Sequence, residues 1–205
     1  MKILFVDTET TGLNSDHHDI TEIACYFKDS LTNKNSKFHS YIFYNDYPSD
    51  YNEVVKITGL TPEILKEKGK PAQVVFVEFT RWLGSLVDQY NQDDKLIMAG
   101  YNVNFDDNFI RNFFSKNNHE YYGSFFYNAR LDVMSFVAAA IYYNLMPIPK
   151  SFRLECVAEI FNIKFESHNA WSDVLATGKV YKKLMDRFFN MKLHKLKQDT
   201  GLNKK

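Results

Sequence analysis

The chain has few cysteines, no excess of either charge, and no hydrophobic run that approaches the length of a membrane span. Its two cysteines, Cys25 and Cys156, cannot build a disulfide framework or a zinc cluster, so we expect a reducing compartment, the cytoplasm. Lys plus Arg and Asp plus Glu number 25 each, so no global field draws the chain to nucleic acid. This balance argues against a passive nucleic-acid binder and leaves open an enzyme with a local acidic site.

A single domain is expected from 205 residues of which 45% are hydrophobic. We place this domain at residues 1–190. Residues 191–205 are basic and polar, and we expect a flexible tail there, either simply solvated or serving as an arm for nucleic acid or a polymerase. The amino terminus lacks the charged and apolar regions of a secretory signal, and no contact with a membrane is expected.

The hydrophobic pattern predicts strands followed by alternating strands and helices. Residues 2–9 are apolar on both faces and predict a central strand, and residues 20–28 and 37–44 predict two more strands of an antiparallel meander. A short strand at 95–100 leads directly into a helix at 106–116. The other predicted helices are one capped by Thr61, 71–90, 131–143, one capped by Ser151, and 169–190.

Carboxylates stand at the ends of several of these elements. Asp7 and Glu9 close the first strand, where residues two apart project from the same face. Asp106 opens a helix directly after a strand in AGYNVNFDD, and Asp173 lies in the first turns of the last helix in SHNAWSD. Each acid alone has an ordinary structural explanation, as a solvent-facing residue or a helix cap. Their recurrence at element ends favours a shared site.

Four close carboxylates raise one another's pKa and disfavour ionisation unless cations lie between them. Two divalent cations would neutralise the set, and oxygen ligands favour Mg²⁺ or Mn²⁺ over zinc. Two such ions can stabilise both the attacking and the leaving oxygen of a phosphoryl displacement. His168 precedes the last helix, and a histidine with its unperturbed pKa of about 6.5 suits deprotonation of an attacking water.

The segments FVDTETTGL, YNVNFD and HNAWSD, in this order and spacing, resemble the three exonuclease motifs of the DEDDh group of DnaQ-like 3′–5′ exonucleases. The resemblance runs over residues 2–184. It implies an α/β fold of the RNase H-like type, a mixed five-stranded sheet with three antiparallel strands, flanked by helices. It also implies a proofreading or repair enzyme that releases nucleoside 5′-monophosphates from the 3′ end of single-stranded DNA, with a DNA polymerase subunit as a possible partner.

The resemblance assigns a role to each acid. Asp7 would bridge two Mg²⁺ or Mn²⁺ ions, and Glu9 and Asp173 would help hold the ion that carries the nucleophilic water. Asp106 would hold the second ion through water, and His168 would be the general base. In a second version of the family a tyrosine stands one position after this histidine, where the chain has asparagine, so the histidine version is favoured.

Further positions follow from the same resemblance. The implied substrate-binding residues are Thr8, Thr10, Gly12, Leu13, Thr58, Asn102 and Phe105. Asp132 would have a supporting role. Two positions depart from the family's pattern: Thr58 stands where a histidine is frequent, which puts the choice between DNA and RNA in doubt, and Tyr101 replaces another frequent histidine, which should alter packing more than chemistry.

Three alternatives stay open at this point. A 3′–5′ exoribonuclease of the same family would use identical catalytic residues. A non-catalytic nuclease fold could serve as a scaffold for a polymerase or helicase, although a scaffold has no use for four repelling carboxylates. A phosphatase of the haloacid dehalogenase type would use Asp7 as a nucleophile, but such enzymes usually carry a second Asp where this chain has Glu9.

Overall fold

A mixed sheet with helices against both faces forms the core of the computed structural model, which describes the backbone of residues 1–199 and the side chains of residues 1–191. The strands are β1 (Lys2–Thr10), β2 (Ile20–Asp29), β3 (Asn35–Phe43), β4 (Lys70–Pro71), β5 (Leu96–Gly100) and β6 (Phe126–Asp132). The helices are α1 (Tyr51–Thr58), α2 (Pro62–Lys68), α3 (Ala72–Leu86), α4 (Asn104–Lys116), α5 (Tyr122–Phe125), α6 (Val133–Tyr142), α7 (Leu154–Ile160) and α8 (Ala170–Asp199).

The strand order across the sheet is β4-β3-β2-β1-β5-β6. β1, β2 and β3 pair in antiparallel fashion, whereas β5 runs parallel to β1 and β6 runs parallel to β5. This arrangement confirms the predicted mixed α/β sheet and its antiparallel meander. The sheet has a sixth strand because the two-residue β4 pairs with the end of β3.

The central strand β1 is buried on both faces, as its apolar run predicts. Leu4 and Val6 belong to a core cluster that also contains residues of α3 and α4. Phe5 points to the opposite cluster, which includes residues of α6, α7 and α8. Because side chains alternate along a strand, Asp7 and Glu9 follow Phe5 on the face that α8 covers. The same alternation that builds the two cores therefore directs both acids toward α8.

The turn after β5 brings α4 close to the end of β1. β1 and β5 are parallel and in register at Phe5 and Ala99, so their carboxyl ends lie at one edge of the sheet. Gly100 permits this approach, since a Cβ there would lie 3.1 Å from the carbonyl oxygen of Val6. Asn102 then adopts a left-handed φ of 63°, and α4 begins at Asn104. Ligands of open α/β sheets commonly bind at such an edge.

Several element boundaries differ from the sequence prediction. β6 occupies residues 126–132, partly where a helix is predicted, and α1 and α5 have no predicted counterpart. Thr61 caps α2 as predicted, whereas α7 begins at Leu154 and Ser151 instead accepts a hydrogen bond from the backbone N–H of Arg153. The predicted helix at 169–190 continues to Asp199. Residues 200–205 of the predicted tail lie outside the described residues, and the domain boundary at 190 stays a prediction.

Within residues 1–199, no helix is both long enough and apolar enough to span a bilayer.

Candidate active site

A cavity of about 820 Å³ opens at the edge of the sheet where β1 and β5 end. Asp7, Glu9, Asp106, His168 and Asp173 all line it. These side chains come from β1, the first turn of α4, the turn before α8 and the first turn of α8. The structure therefore brings the residues predicted to carry catalysis into one pocket, although they are far apart in sequence.

Asp7, Glu9 and Asp173 form the tightest group in this pocket. Each offers one carboxylate oxygen, and these oxygens all lie within 4.8 Å of one another. Asp7 and Glu9 meet because they share a face of β1, and Asp173 joins them because α8 packs across that face. Hard oxygen donors at this separation fit Mg²⁺ or Mn²⁺.

Asp106 stands beside this group and has its own hydrogen-bond partner. It is 3% exposed, and its Oδ1 accepts a hydrogen bond from the Thr8 hydroxyl at 2.9 Å. Thr8 lies between Asp7 and Glu9 on β1, so its side chain leaves the opposite face of the strand and turns to α4. This contact fixes Asp106 relative to the acids of β1.

Burial raises the pKa of all four acids. It is the largest cause for Asp7, whose pKa lies well above its ordinary value, and the charges of Asp106, Asp173 and Glu9 raise it further. Burial and then the neighbouring Glu22 raise the pKa of Glu9 to about 8. The pKa values of Asp106 and Asp173 rise to about 7, mainly through burial. Without a cation the group therefore retains protons near neutral pH, and a divalent cation would displace them.

Glu22 is a buried carboxylate next to this group, outside the pocket wall, and it is absent from the residues predicted from sequence. It lies on β2 directly opposite Glu9 and is 1% exposed. A glutamate within the apolar run ITEIAC of a buried strand is the signal that could have drawn attention to it. Its proximity to Glu9 is not visible in the sequence, because it depends on the pairing of β1 with β2.

His168 lies at the rim of the pocket, in contrast to the buried acids. Its backbone is left-handed, with φ of 61°, and its side chain is half-exposed. The ring Nε2 lies 3.8 Å from Oε1 of Glu155, which also lines the pocket. The histidine is thus open to solvent on one side and faces the acidic pocket on the other.

Asp132 lies outside the pocket wall but supports it. Its Oδ1 accepts hydrogen bonds from the backbone N–H of Asn102 and of Met134, both at 3.0 Å. The side chain therefore ties the turn after β5 to the start of α6. Asn102 itself lines the pocket, together with Phe105 from the first turn of α4.

The loop after β1 carries Leu13, which lines the pocket and is 87% exposed. Thr10 and Gly12 shape this loop instead of lining the pocket. The Thr10 hydroxyl donates to the Gly12 carbonyl at 2.6 Å, and a Cβ at Gly12 would collide with the ring of His18. Thr58 makes a hydrogen bond within α1: its hydroxyl donates to the Val54 carbonyl at 3.1 Å.

The wall also contains residues that were not predicted to bind substrate. Ile57, the neighbour of Thr58, is 60% exposed, and Phe152 is 44% exposed. The Tyr101 hydroxyl donates to the Phe152 carbonyl at 2.5 Å and so holds the loop before α7. Among the described residues, Arg153 is the one permanently cationic side chain on the wall. These residues lie in loops or at helix ends whose place against the site depends on the tertiary fold.

Comparison with known proteins assigns the family. The model of the exonuclease family RNase_T matches residues 4–181 of this chain. The chain belongs to this exonuclease family. Exodeoxyribonuclease I from Buchnera aphidicola subsp. Acyrthosiphon pisum is 31% identical over 206 residues, which cover 91% of this chain and 47% of that protein. The predicted resemblance to DnaQ-like exonucleases of the DEDDh group is confirmed.

Solved structures agree with this assignment. E. coli exonuclease I in complex with a dT13 oligonucleotide matches with a TM-score of 0.74 and 27% identity, covering 93% of this chain and 43% of that one. The zinc-bound form of the E. coli ExoI–ssDNA complex matches with a TM-score of 0.73 and 27% identity, covering 92% and 43%. The RNase H-like fold is confirmed. The chain spans about half the length of the curated relatives it matches.

The raised pKa values predict that the metal-free protein loses stability as the pH rises. Unfolded carboxyl groups titrate near ~4, whereas Glu9, Asp106 and Asp173 titrate at about 7 to 8 in the folded protein. The folded state therefore binds more protons between these values, and its extra stability, full below about 4, is lost as the pH passes about 8. We expect the melting temperature in chelator to fall by several degrees between about pH 5 and pH 9, and Mn²⁺ to restore it at the higher pH.

The Asp7→Asn variant removes one of the repelling charges, so its melting temperature should depend less on pH. Asp46→Asn, at an exposed position, is the matched control and should behave like the unchanged protein. A metal-free melting temperature that rises across this range would contradict the assignment of the cluster.

Proposed function

We propose that this chain is a metal-dependent 3′–5′ exonuclease that hydrolyses the terminal phosphodiester bond of single-stranded DNA and releases nucleoside 5′-monophosphates. The supporting observation is the group of Asp7, Glu9 and Asp173 within 4.8 Å, with Asp106 and His168 on the same pocket. Family membership supports the reaction class. Because the chain spans only about half of its relatives, the substrate and direction of digestion rest on this site and its motifs.

The donor set fits two Mg²⁺ or Mn²⁺ ions. Asp7, Glu9 and Asp173 would hold the ion nearest the attacking water, and Asp7 and Asp106 would hold the second. When bound, such ions activate a water molecule and neutralise charge that develops on the phosphoryl oxygens. The raised pKa values of the four acids support this assignment, since a divalent cation relieves their repulsion. A zinc-bound structure of the E. coli relative supports a divalent-cation site in this family.

His168 would act as the general base. Its half-exposed ring can take a proton from the attacking water at the pocket rim and pass it to solvent. Glu155, 3.8 Å away, would stabilise the imidazolium that forms. The left-handed turn at His168 directs the segment from the rim into α8, so the base and the ligand Asp173 are positioned by one short stretch of chain.

The mouth of the pocket favours a single strand. Leu13, Ile57 and Phe152 are exposed apolar side chains on three separate segments, and all of them line a pocket whose floor is acidic. Apolar and aromatic surfaces bind the faces of unstacked bases without reading their sequence. Acids that bind metal at the floor and apolar groups at the mouth suit a polynucleotide end better than a small phosphate ester.

Among the alternatives, DNA is favoured over RNA because the relatives are exodeoxyribonucleases and the solved neighbours contain single-stranded DNA. The complete acid set disfavours a scaffold, and the family match disfavours a dehalogenase-type phosphatase. A DNA polymerase subunit as partner gains no support from these relatives. A role in replication or repair and a cytoplasmic location stay predictions.

The proposed function predicts stepwise shortening of a 5′-labelled single strand in Mn²⁺ and its arrest by chelator. Matched DNA and RNA strands in one time course would give the ratio of the two rates, which we expect to favour DNA. A strand labelled at its 3′ end should lose its label in the first step. Strands of both kinds that stay intact while Mn²⁺ binds would refute the exonuclease, and a faster rate on RNA would move the chain to the exoribonuclease alternative.

Single substitutions test the roles of the acids and the base. Asp7→Ala should abolish metal-dependent digestion, because Asp7 is the residue proposed to bind both ions. His168→Ala should lower kcat by about 10²–10⁴-fold and spare Mn²⁺ binding, as expected for loss of a general base. His17→Ala, an exposed histidine outside the pocket wall, serves as the control and should digest at the normal rate. A His168→Ala enzyme with nearly normal kcat would show that another group is the base.

Substitution of Arg153 should change substrate binding without changing the chemical step. It is exposed on the acidic wall, where its guanidinium can meet a substrate phosphate. Arg153→Gln should raise KM for single-stranded DNA with little change in kcat, and it should reduce the salt dependence of binding by about 0.7 in log–log slope, the loss of one phosphate contact. Arg81→Gln, on the exposed face of α3, is the matched control. Unchanged KM and salt slope would remove Arg153 from the substrate path.

A further inference from the structure

We propose that Glu22 and His39 form a positioning pair that holds the first turn of α8, and with it Asp173, against the acids of β1. The inference rests on the proposed function, since Asp173 matters here as a metal ligand. Neither Glu22 nor His39 lines the pocket, so the pair would act through Asp173 and not through the substrate.

Glu22 joins two elements through its two oxygens. Oε1 accepts a hydrogen bond from His39 Nε2 on β3 at 2.6 Å, and Oε2 accepts one from the backbone N–H of Ala170, the first residue of α8, at 3.4 Å. A carboxylate at a helix amino terminus is favoured by the helix dipole, and a hydrogen bond to an ionised acceptor is stronger than one between neutral groups. Because Glu22 is buried, the loss of one partner would leave its charge poorly compensated.

A second contact reinforces the same junction. The ring of His39 stacks on Trp171 with centroids 6.2 Å apart and planes at 28°. Lys37 Nζ also lies over the Trp171 ring, 5.6 Å from its centroid. Trp171 directly follows Ala170 in the first turn of α8. Residues of β3 therefore contact this turn both through Glu22 and through the tryptophan.

The first turn of α8 transmits its position to Asp173. The backbone N–H of Asn169 donates to Asp173 Oδ2 at 3.2 Å, and the backbone N–H of Ser172 donates to Asn169 Oδ1 at 2.9 Å. The backbone N–H of Asp173 also donates to the Asn169 carbonyl at 2.9 Å. These bonds make the turn one unit, so a shift of Ala170 moves the carboxylate of Asp173.

The choice of a carboxylate at position 22 also has an electrostatic consequence. The charge of Glu22 raises the pKa of both Glu9 and Asp173, so it adds to the repulsion within the metal-free group. A neutral side chain could bind the helix end without this penalty. The same charge would strengthen the attraction for a divalent cation. Glu22 would therefore both hold the end of α8 and favour metal binding.

His39→Phe tests the pair, because it preserves a ring against Trp171 and removes the donor to Glu22. We expect Mn²⁺ affinity, measured by calorimetry on the full chain without DNA, to fall by about tenfold, the lower end for loss of a group that orients a metal ligand. His39→Gln restores a donor and should recover most of the affinity. His119→Phe, a histidine in the aromatic cluster of α3 and α4, should bind Mn²⁺ normally.

Kinetics separate positioning from loss of folding. The His39→Phe enzyme should need more Mn²⁺ for half-maximal rate and keep its KM for DNA, and high Mn²⁺ should restore kcat. If this variant does not fold, the same calorimetry measures the Mn²⁺ affinity of Glu22→Gln, which should also fall. This substitution keeps the side-chain volume and an acceptor for Ala170. A lower melting temperature with normal Mn²⁺ affinity would make the pair merely structural and overturn the proposal. Absence of Mn²⁺ binding by the unchanged protein would instead refute the metal site itself, and the positioning role with it.

Discussion

Repulsion among buried carboxylates is the interaction on which the arrangement of this site depends. Carboxylate oxygens of Asp7, Glu9 and Asp173 lie within 4.8 Å of one another, so the backbone that carries them must resist their electrostatic repulsion. That backbone includes β1, a central strand with a hydrophobic cluster on each face. The hydrophobic burial that stabilises the fold thus also holds the acids together, and relief of their repulsion would favour the binding of divalent cations.

The floor and the mouth of the site are built from different kinds of segment. The acids lie on β1 and on the first turns of α4 and α8, elements that pack into the core. The groups at the mouth, Leu13, Ile57 and Phe152, lie on a loop, a helix end and the segment before α7. The metal ligation proposed for the acids needs precise oxygen positions, whereas the base faces proposed to meet the mouth vary, so this division suits the chemistry of each part. The chain has no net charge, yet the floor of its pocket is acidic, and Arg153 lies on the pocket wall.

Sequence reasoning succeeded where the information is local. The two-residue period of a strand places Asp7 and Glu9 on one face, and a strand-to-helix junction places Asp106 at the sheet edge, without knowledge of the rest of the fold. It failed where the information is in the pairing of distant segments. Glu22 matters because β2 aligns it with Glu9, and the loop at Phe152 reaches the pocket because Tyr101 holds it. β6 at the sheet edge has no clear alternation of buried and exposed residues, so its pattern did not predict a strand.

The proposed preference for a single strand follows from the same geometry. A base that stacks on Phe152 or packs on Leu13 must first leave its own neighbours, and unstacking and unpairing a duplex end carry a free-energy cost that a single strand does not meet. A wall that contacts base faces, as proposed, would discriminate strands by how readily they unstack and not by their sequence. Discrimination between DNA and RNA needs a contact at the sugar 2′ position instead. Thr58, a departure from the family pattern, directly follows Ile57 of the pocket wall, so substitutions in this segment are the first test of sugar selection.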